Sequence, residues 1–212
     1  MTPGRHTEGP TNETIFLIDD DLSVREGLAA LIESINLPVR SFGSAADFLT
    51  TQPVEAGGCI VLDVNMPGMN GLDLQREMNA AGIPLPVIFL TGHGDIPMTV
   101  QALKAGAAHF LTKPVRVDEL LTAIRQALEM DRKARSERAE MRKLRERLDS
   151  LAPRERQVMH LVTSGRLNKQ IAHELGISER TVKLYRGQVM RKMGSDSLAD
   201  LVQQAQKLGP LY

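Results

Sequence analysis

The sequence predicts an α/β domain with a five-stranded, parallel, doubly wound sheet, joined by a helical linker to an all-α domain of four helices. Two observations support this prediction. Up to about residue 127, short apolar runs alternate five times with segments of helical periodicity. After Leu151 no strand pattern remains, and four helical segments follow one another, two of them separated by a short turn that contains glycine.

The strands and helices follow in a regular order. Residues 1–13 are polar and lack periodicity, which predicts a disordered tail. The strands are predicted at residues 14–18, 39–42, 59–63, 86–91 and 108–111, and the helices open at Ser23, Ser44, Gly71, Ile96 and Val117. Because the crossovers between parallel strands are right-handed, we expect every carboxyl end to lie at one edge of the sheet.

The composition limits the class of protein. Of the 212 residues, 42% are hydrophobic and only 3% aromatic, which predicts cores of aliphatic side chains. No apolar run approaches the roughly 18 residues of a membrane span, and no secretion signal is visible. We therefore expect a cytoplasmic protein without a membrane partner. The single cysteine, Cys59, excludes an internal disulfide framework.

Charge is distributed unequally along the chain, although the net charge is zero. Residues 1–127 carry 8 Lys and Arg against 15 Asp and Glu, whereas residues 152–212 carry 10 against 5. This asymmetry indicates different partners, a cation for the first part and a polyanion for the second.

Charged and hydroxyl side chains follow the predicted strands at their carboxyl ends. Asp19 and Asp20 end the first strand, Asp63 the third and Thr91 the fourth, and Lys113 follows the fifth. Clustered carboxylates repel one another unless a cation shares the site, and their oxygens suit Mg²⁺ or Mn²⁺. With this positive charge beside it, Asp63 can act as a nucleophile that forms an acyl phosphate. Any one of these residues alone is more simply a turn or surface residue, but their joint occurrence favours a phosphorylation site.

These residues resemble the receiver domain of bacterial two-component response regulators. The matching motifs are Asp19-Asp20, the segment D-x-N-M-P-G-M-N-G that opens at Asp63, Thr91-Gly92-His93-Gly94 and Lys113-Pro114. The resemblance covers residues 14–127 and implies a flavodoxin-like fold. It also implies phosphoryl transfer from a sensor histidine kinase to Asp63 and a cis peptide bond between Lys113 and Pro114.

The same resemblance assigns further roles. A metal ion would be held by Asp20, Asp63 and the backbone carbonyl of Asn65, with Asp19 nearby. Thr91 and Lys113 would be catalytic. In the accompanying switch, Thr91 moves toward the phosphate and Phe110 turns inward. Phe110 occupies a position where tyrosine is frequent in the family, so it cannot form a hydrogen bond through a ring hydroxyl.

Residues 128–151 are dominated by strong helix formers with charges of alternating sign, which predicts a helical linker. Four apolar residues recur within it at spacings of three and four, Met141, Leu144, Leu148 and Leu151. This pattern is compatible with a short coiled coil. Since it spans fewer than two heptads, a solvated linker is the favoured alternative.

The last block, residues 152–212, predicts four helices with a tight turn between the second and third. Pro153 suits a first helical position, Asn168 suits the N-cap of the second helix, and Ser178 suits the N-cap of the third. Two helices joined by a short turn that contains glycine are typical of a DNA-binding helix-turn-helix.

The third helix of this block has two different faces. Val182, Tyr185, Val189 and Met193 should point inward. The opposite face would meet the ligand and carries Arg180, Lys183, Leu184, Gly187 and Arg191. Arg186 lies beside the inward face, where a phosphate contact or an intradomain ion pair would suit it. A helical glycine costs roughly 1 kcal/mol relative to alanine, and close approach of DNA is a reason for it.

The block resembles the LuxR-type helix-turn-helix through L-A-P-R-E-R-Q-V, N-K-Q-I-A-x-E-L-G-I-S-E-R-T-V-K and R-K-M-G. With the receiver motifs, the chain is similar to the FixJ-like branch of response regulators. The resemblance implies that Lys183 and its neighbours enter the major groove, with Lys169 and Thr181 near phosphates. It also implies a dimer contact on the last helix by Leu198, Leu201, Val202 and Ala205.

The resulting hypothesis is a phosphorylation-dependent transcription regulator, not an enzyme, that forms a homodimer when phosphorylated. It would bind double-stranded promoter DNA and have RNA polymerase as a further partner. One alternative is a phosphatase of the haloacid-dehalogenase type, which would need a second Asp where Asn65 stands. Another is an adaptor whose C-terminal helices bind protein or RNA.

Overall fold

A computed structural model describes residues 13–50, 57–92 and 106–209. The chain divides into two compact units, Met1–Arg135 and Ser136–Tyr212. Residues 1–12 of the predicted tail and the helix predicted to open at Ile96 lie outside the described residues. No helix in the described ranges is both long enough and apolar enough to span a membrane.

The first unit contains the predicted five-stranded parallel sheet. Its strands pair in the order β2-β1-β3-β4-β5; they are β1 (Glu13–Ile18), β2 (Val39–Phe42), β3 (Gly57–Asp63), β4 (Val87–Thr91) and β5 (His109–Thr112). The described helices of this part are α1 (Leu22–Glu33), α2 (Ala45–Thr50), α3 (Gly71–Ala80) and α4 (Val117–Asp149), the last of which continues into the second unit. The fold prediction is confirmed.

Successive strand residues serve two separate cores, one on each face of the sheet. Ile60 and Leu62 point into a core with Phe16 and Phe48. Their neighbours along β3, including Cys59, point into a core that also contains Ile15, Ile88, Leu120 and Ile124. Burial raises the pKa of the Cys59 thiol, as expected for an apolar core residue with no role as a nucleophile.

The amino edge of the sheet carries a cluster of ion pairs that the sequence did not predict. Glu13 is buried in β1 and accepts bonds from Arg132 Nε at 2.7 Å and Arg132 Nη2 at 2.8 Å. Asp131 is also buried and accepts bonds from the Gly58 amide at 2.9 Å and Arg135 Nε at 2.7 Å. Because an unpaired buried carboxylate is costly, these bonds hold α4 against the sheet as far as Arg135.

Two predicted limits of the first domain therefore need correction. Glu13 is not part of the tail predicted over residues 1–13, because it is the first residue of β1 and its carboxylate is paired. Leu128 is not part of the linker predicted over residues 128–151, because it is buried in the core of the first unit. Both residues have partners on distant segments, so local sequence patterns do not indicate their positions.

The second unit contains α5 (Pro153–Thr163), α6 (Asn168–Leu175), α7 (Glu179–Met193) and α8 (Leu198–Leu208), in agreement with the four predicted helices. The carboxyl-terminal part of α4 adds a fifth. Leu144 and Leu151 are buried in the core of this unit, and Leu148 packs against it. Three residues of the apolar stripe of the predicted linker, Leu144, Leu148 and Leu151, therefore pack into the helical unit and are neither solvated nor part of a separate coiled coil.

Polar contacts reinforce this attachment of α4 to the second unit. Arg147 Nη1 donates to the carbonyl of Met193 at 3.0 Å, at the end of α7. Lys192 Nζ donates to the Ser150 carbonyl at 3.1 Å and to Glu155 at 2.6 Å. The hydrogen bond from Lys192 lowers the pKa of the buried Glu155 carboxyl.

The helix starts differ from the predictions at two places. Asp21 is the N-cap of α1, where its carboxylate accepts from the amides of Ser23 and Val24. Leu167 precedes α6, so Asn168 is the first helical residue and not the cap. The Ser178 cap is confirmed, since its hydroxyl accepts from the Thr181 amide at 3.1 Å.

Candidate functional site

The carboxyl ends of β1 and β3 bring three carboxylates together. The two strands are neighbours and pair through Ile18 and Leu62, so Asp19 and Asp63 leave the sheet side by side. Asp19 and Asp63 are buried, whereas Asp20 is exposed. One oxygen of each carboxylate lies within 4.8 Å of the corresponding oxygens of the other two. The predicted acidic cluster is therefore present.

Lys113 crosses to this cluster from the end of β5. Its ammonium donates to Asp19 Oδ2 and to Asp63 Oδ2, both at 2.7 Å. Burial by itself would lower the pKa of Lys113, but the hydrogen bonds to the two carboxylates outweigh it and raise the pKa above its ordinary value. Lys113 is therefore a cation at neutral pH. The peptide bond between Lys113 and Pro114 is cis, as predicted.

Backbone amides hold the remaining oxygens of the two buried carboxylates. Asp19 Oδ1 accepts from the Asp21 amide at 3.0 Å, and Asp63 Oδ1 accepts from the Asn65 amide at 3.1 Å. Arg25 also donates to the Asp19 carbonyl. These bonds fix both side chains before any ligand arrives, which favours a preorganised site.

The donor set suits a hard divalent cation. Three carboxylates converge, and Lys113 supplies one positive charge to two of them. Oxygen ligands with remaining negative charge are typical of Mg²⁺ or Mn²⁺ sites. The described contacts of Asn65 involve its amide, so the metal role of its carbonyl stays a prediction.

Thr91 and Phe110 lie on the neighbouring strands. Thr91 is buried at the end of β4, and its carbonyl accepts from the Lys113 amide at 2.7 Å. Phe110 is half-buried in β5, with its ring centroid 6.2 Å from that of Phe89. Thr91 is thus joined directly to the residue that contacts Asp63, and the switch role of the two residues stays a prediction.

Gly71, in the segment after Asp63, has a steric role that sequence patterns do not reveal. Its amide donates to the Val64 carbonyl at 3.0 Å, at the start of α3. A Cβ atom at this position would lie 2.4 Å from the backbone oxygen of Asp63. The glycine therefore permits α3 to begin directly against the strand end that carries Asp63.

We expect Gly71→Ala to lower the free energy of unfolding of the first unit by about 2 kcal/mol, because backbone must shift to admit the methyl group. Hydrogen exchange of the β3 segment at increasing urea concentrations measures this loss. Gly27→Ala is the matched control, since no described residue outside its own helix comes within 4 Å of its Cβ position in α1. It should raise stability by about 0.5–1 kcal/mol. Equal stability of the two variants would contradict the steric role.

The exposed face of α7 is the second candidate site. Arg180, Lys183, Leu184, Gly187 and Arg191 are exposed, while Val182, Val189 and Met193 on the other side are buried. Lys169 at the start of α6 is also exposed. The predicted faces of the helix are therefore correct, and a row of basic side chains is available to a polyanion.

Gly187 has no packing reason among the described residues. A Cβ at this position would have nothing within 4 Å. This is compatible with the interpretation that the exposed face leaves room for a closely approaching ligand. The long apolar side chain of Leu184 is 60% exposed on the same face.

Some of the predicted contact residues have partners in the structure that differ from the predicted ones. Within the part of the chain that the structure describes, Arg186 has no ion pair; its Nη1 donates to the neutral Asn168 Oδ1 at 2.7 Å. On α8, Leu201 and Ala205 are buried in the core of the helical unit and cannot form a dimer contact. Leu198 and Val202 stay partly exposed, so for them the dimer contact remains a prediction.

Both units match known families. Residues 15–125 match the response regulator receiver domain, and residues 149–205 match the bacterial regulatory proteins of the luxR family. Nodulation protein W of Bradyrhizobium diazoefficiens is 48% identical over 206 residues, which cover 97% of this chain and 91% of that protein. Response regulator protein TodT of Pseudomonas putida is 50% identical over 194 residues, which cover 92% of this chain and 86% of that protein.

Two solved structures of response regulators are also similar to this chain over most of its length. The response regulator StyR is 47% identical, with a TM-score of 0.84 over 92% of this chain and 98% of that chain. Full-length FixJ from B. japonicum is 42% identical, with a TM-score of 0.57 over 92% of this chain and 96% of that chain.

Proposed function

The chain belongs to the two-component response regulators that join a receiver domain to a LuxR-type DNA-binding domain, and we propose that phosphorylation of Asp63 controls its binding to DNA. The observation that carries this proposal is the Lys113 ammonium between Asp19 and Asp63, beside Asp20. This family consists of transcriptional regulators and not of classical enzymes. Asp63 is accordingly proposed as an acceptor, with at most slow self-phosphorylation and self-dephosphorylation.

The proposed transfer is a displacement at phosphorus. A carboxylate oxygen of Asp63 attacks the phosphoryl group carried by a histidine of the sensor kinase. The P–O bond of an acyl phosphate forms, the P–N bond breaks, and the imidazole leaves with the electron pair. Lys113 offsets the negative charge of the phosphoryl group, and the Thr91 hydroxyl is proposed to bind one of its oxygens.

The metal ligands are proposed from the same cluster. Asp20, Asp63 and the Asn65 carbonyl would hold Mg²⁺ or Mn²⁺, with Asp19 nearby, and the ion would supply positive charge to the phosphoryl oxygens. Buried Asp63 has its Oδ2 on Lys113 and its Oδ1 on the Asn65 amide. The chain itself thus orients the nucleophile and excludes much of the water around it.

The switch is proposed to link the phosphorylated site to the rest of the receiver. Thr91 and Phe110 occupy adjacent strands, and the Thr91 carbonyl already accepts from the Lys113 amide. Movement of Thr91 toward a phosphoryl group would open space near β5 for the Phe110 ring. The proposed receiver domain ends at Arg135, because the ion pairs of Glu13 and Asp131 extend that far.

The output is proposed to be binding of a homodimer to promoter DNA in the cytoplasm, with RNA polymerase as a further partner. Leu198 and Val202 are the remaining candidates for the dimer contact. The residues proposed to contact DNA directly are those exposed on α7 together with two near helix starts: Lys169, Arg180, Thr181, Lys183, Leu184, Gly187 and Arg191. The charge balance and exposure of these side chains support a polyanion partner.

The test uses the full chain with acetyl phosphate and Mg²⁺ as the phosphodonor mixture. We expect a shift from monomer toward dimer in light scattering, together with about tenfold tighter binding to a duplex that the protein selects from a random-sequence library. The control omits acetyl phosphate. If the phosphorylated chain stays monomeric and binds the duplex no better than the control, the proposed coupling is wrong.

A further inference from the structure

A hydrogen bond joins the exposed helix α7 to the start of the preceding helix α6. Arg186 Nη1 donates to Asn168 Oδ1 at 2.7 Å, across 18 positions of the sequence. Both side chains are half-buried. Arg186 also contributes to the wall of a small void with Val158 and Val189. Its guanidinium is therefore directed to a protein acceptor.

The position of this bond allows it to restrict the angle between α6 and α7. The turn Gly176–Ser178 connects the end of α6 to the beginning of α7. Asn168 lies at the opposite end of α6, and Arg186 lies two turns along α7. The bond is thus a second attachment point, remote from the turn. Two attachment points restrict a rotation that the turn alone permits.

We propose that Arg186 is a positioning residue that acts through Asn168 to orient the DNA-contacting face of α7. This inference rests on the proposed DNA binding and removes Arg186 from the set of direct contacts. The residues whose placement depends on the angle are Lys183, Leu184 and Gly187, which lie within one turn of Arg186 on α7. Base contacts need this alignment, whereas attraction to the phosphate backbone depends mainly on charge.

The two possible roles of Arg186 predict different salt dependence. Loss of one phosphate contact weakens binding to any duplex and reduces the slope of log K against log salt by about 0.9. Loss of a positioning bond weakens binding to the selected duplex and leaves the slope unchanged. It also leaves the affinity for a scrambled duplex within about twofold of wild type, apart from the small effect of one fewer charge.

The experiment measures the affinity of the full-length chain for two duplexes over a range of salt concentrations. One duplex is selected by the wild-type chain from a random library, and the other is its scrambled version. The variants are Arg186→Met, Asn168→Ala, the double variant and Asn168→Asp. Lys169→Met is the matched control for loss of a proposed phosphate contact on an exposed neighbour.

Arg186→Met and Asn168→Ala should each weaken binding to the selected duplex by about tenfold, and the double variant should be no weaker than either single variant. Asn168→Asp keeps an acceptor oxygen for Arg186. The ratio of its affinities for the selected and the scrambled duplex should therefore equal that of the wild type. Lys169→Met should instead weaken both duplexes and reduce the slope.

Three results would overturn the proposal: a reduced slope with Arg186→Met, additive losses in the double variant, or unchanged specificity with Asn168→Ala. If Arg186→Met does not fold, as judged by circular dichroism, Asn168→Ala and Asn168→Asp decide the question. Failure of the wild-type chain to prefer any duplex over its scrambled version would count against the proposed function itself, and is visible before any variant is compared.

Discussion

Replacing Asp63 by asparagine is expected to reduce labelling of the full chain by radioactive acetyl phosphate to background. The amide lacks the anionic oxygen that attacks phosphorus. It also breaks the ion pair in which Lys113 Nζ lies 2.7 Å from Asp63 Oδ2. In the wild type, the label should be released by hydroxylamine, because acyl phosphates react with this nucleophile.

Asp21→Asn is the matched control for this substitution. Asp21 follows the site residues Asp19 and Asp20, but its carboxylate caps α1 through the amides of Ser23 and Val24. Asparagine is an equally good N-cap, so this variant should fold and label as the wild type does. Labelling of Asp63→Asn at the wild-type level would show that the phosphoryl acceptor is a different residue.

Replacing Lys183 by alanine is expected to weaken binding to the selected duplex by about tenfold or more. Lys183 is exposed on α7, opposite the buried Val182 and Val189 positions, and one side-chain contact to a base edge contributes about 1–3 kcal/mol of discrimination. The substitution leaves the core unchanged, so the thermal unfolding of the helical unit should not move. Fluorescence anisotropy with labelled duplex measures the change in affinity.

Lys207→Ala removes the same charge from an exposed position on α8 and serves as the control. It should change the affinity by less than about twofold, since a rim charge away from the contact face acts only through the general field. A footprint and affinity that are unchanged in Lys183→Ala would exclude α7 as the recognition helix. Equal losses in both lysine variants would indicate charge attraction without base contacts.

Much of the receiver fold and its site followed from sequence because the determining patterns are local. Apolar runs ended by Asp19, Asp63 and Thr91 predicted the strands, and parallel topology placed their carboxyl ends at one edge. The structure places Lys113 between two of these carboxylates, where the charges require a cation. Periodicity likewise predicted the exposed and buried faces of α7.

Residues whose role depends on a distant partner were not predictable in this way. The leucine stripe of α4 indicates that something covers it, but only the folded chain shows that the helical unit does. Leu201 and Ala205 on α8 pose the same problem, because an apolar helix face can pack into a core or form a dimer contact. Only the structure shows that these two residues pack into the core.

Sequence alone therefore determined the order of the elements, the acidic cluster and the exposed face of α7, because each follows from spacing along one segment. Only the tertiary structure decided the partners of Glu13, Asp131 and Arg186. The bond of Glu13 to Arg132, that of Asp131 to the Gly58 amide and that of Arg186 to Asn168 join residues 119, 73 and 18 positions apart, so each depends on how separate elements pack. The sequence shows the sign of each charged side chain. Only the three-dimensional structure shows which group lies close enough to pair with it.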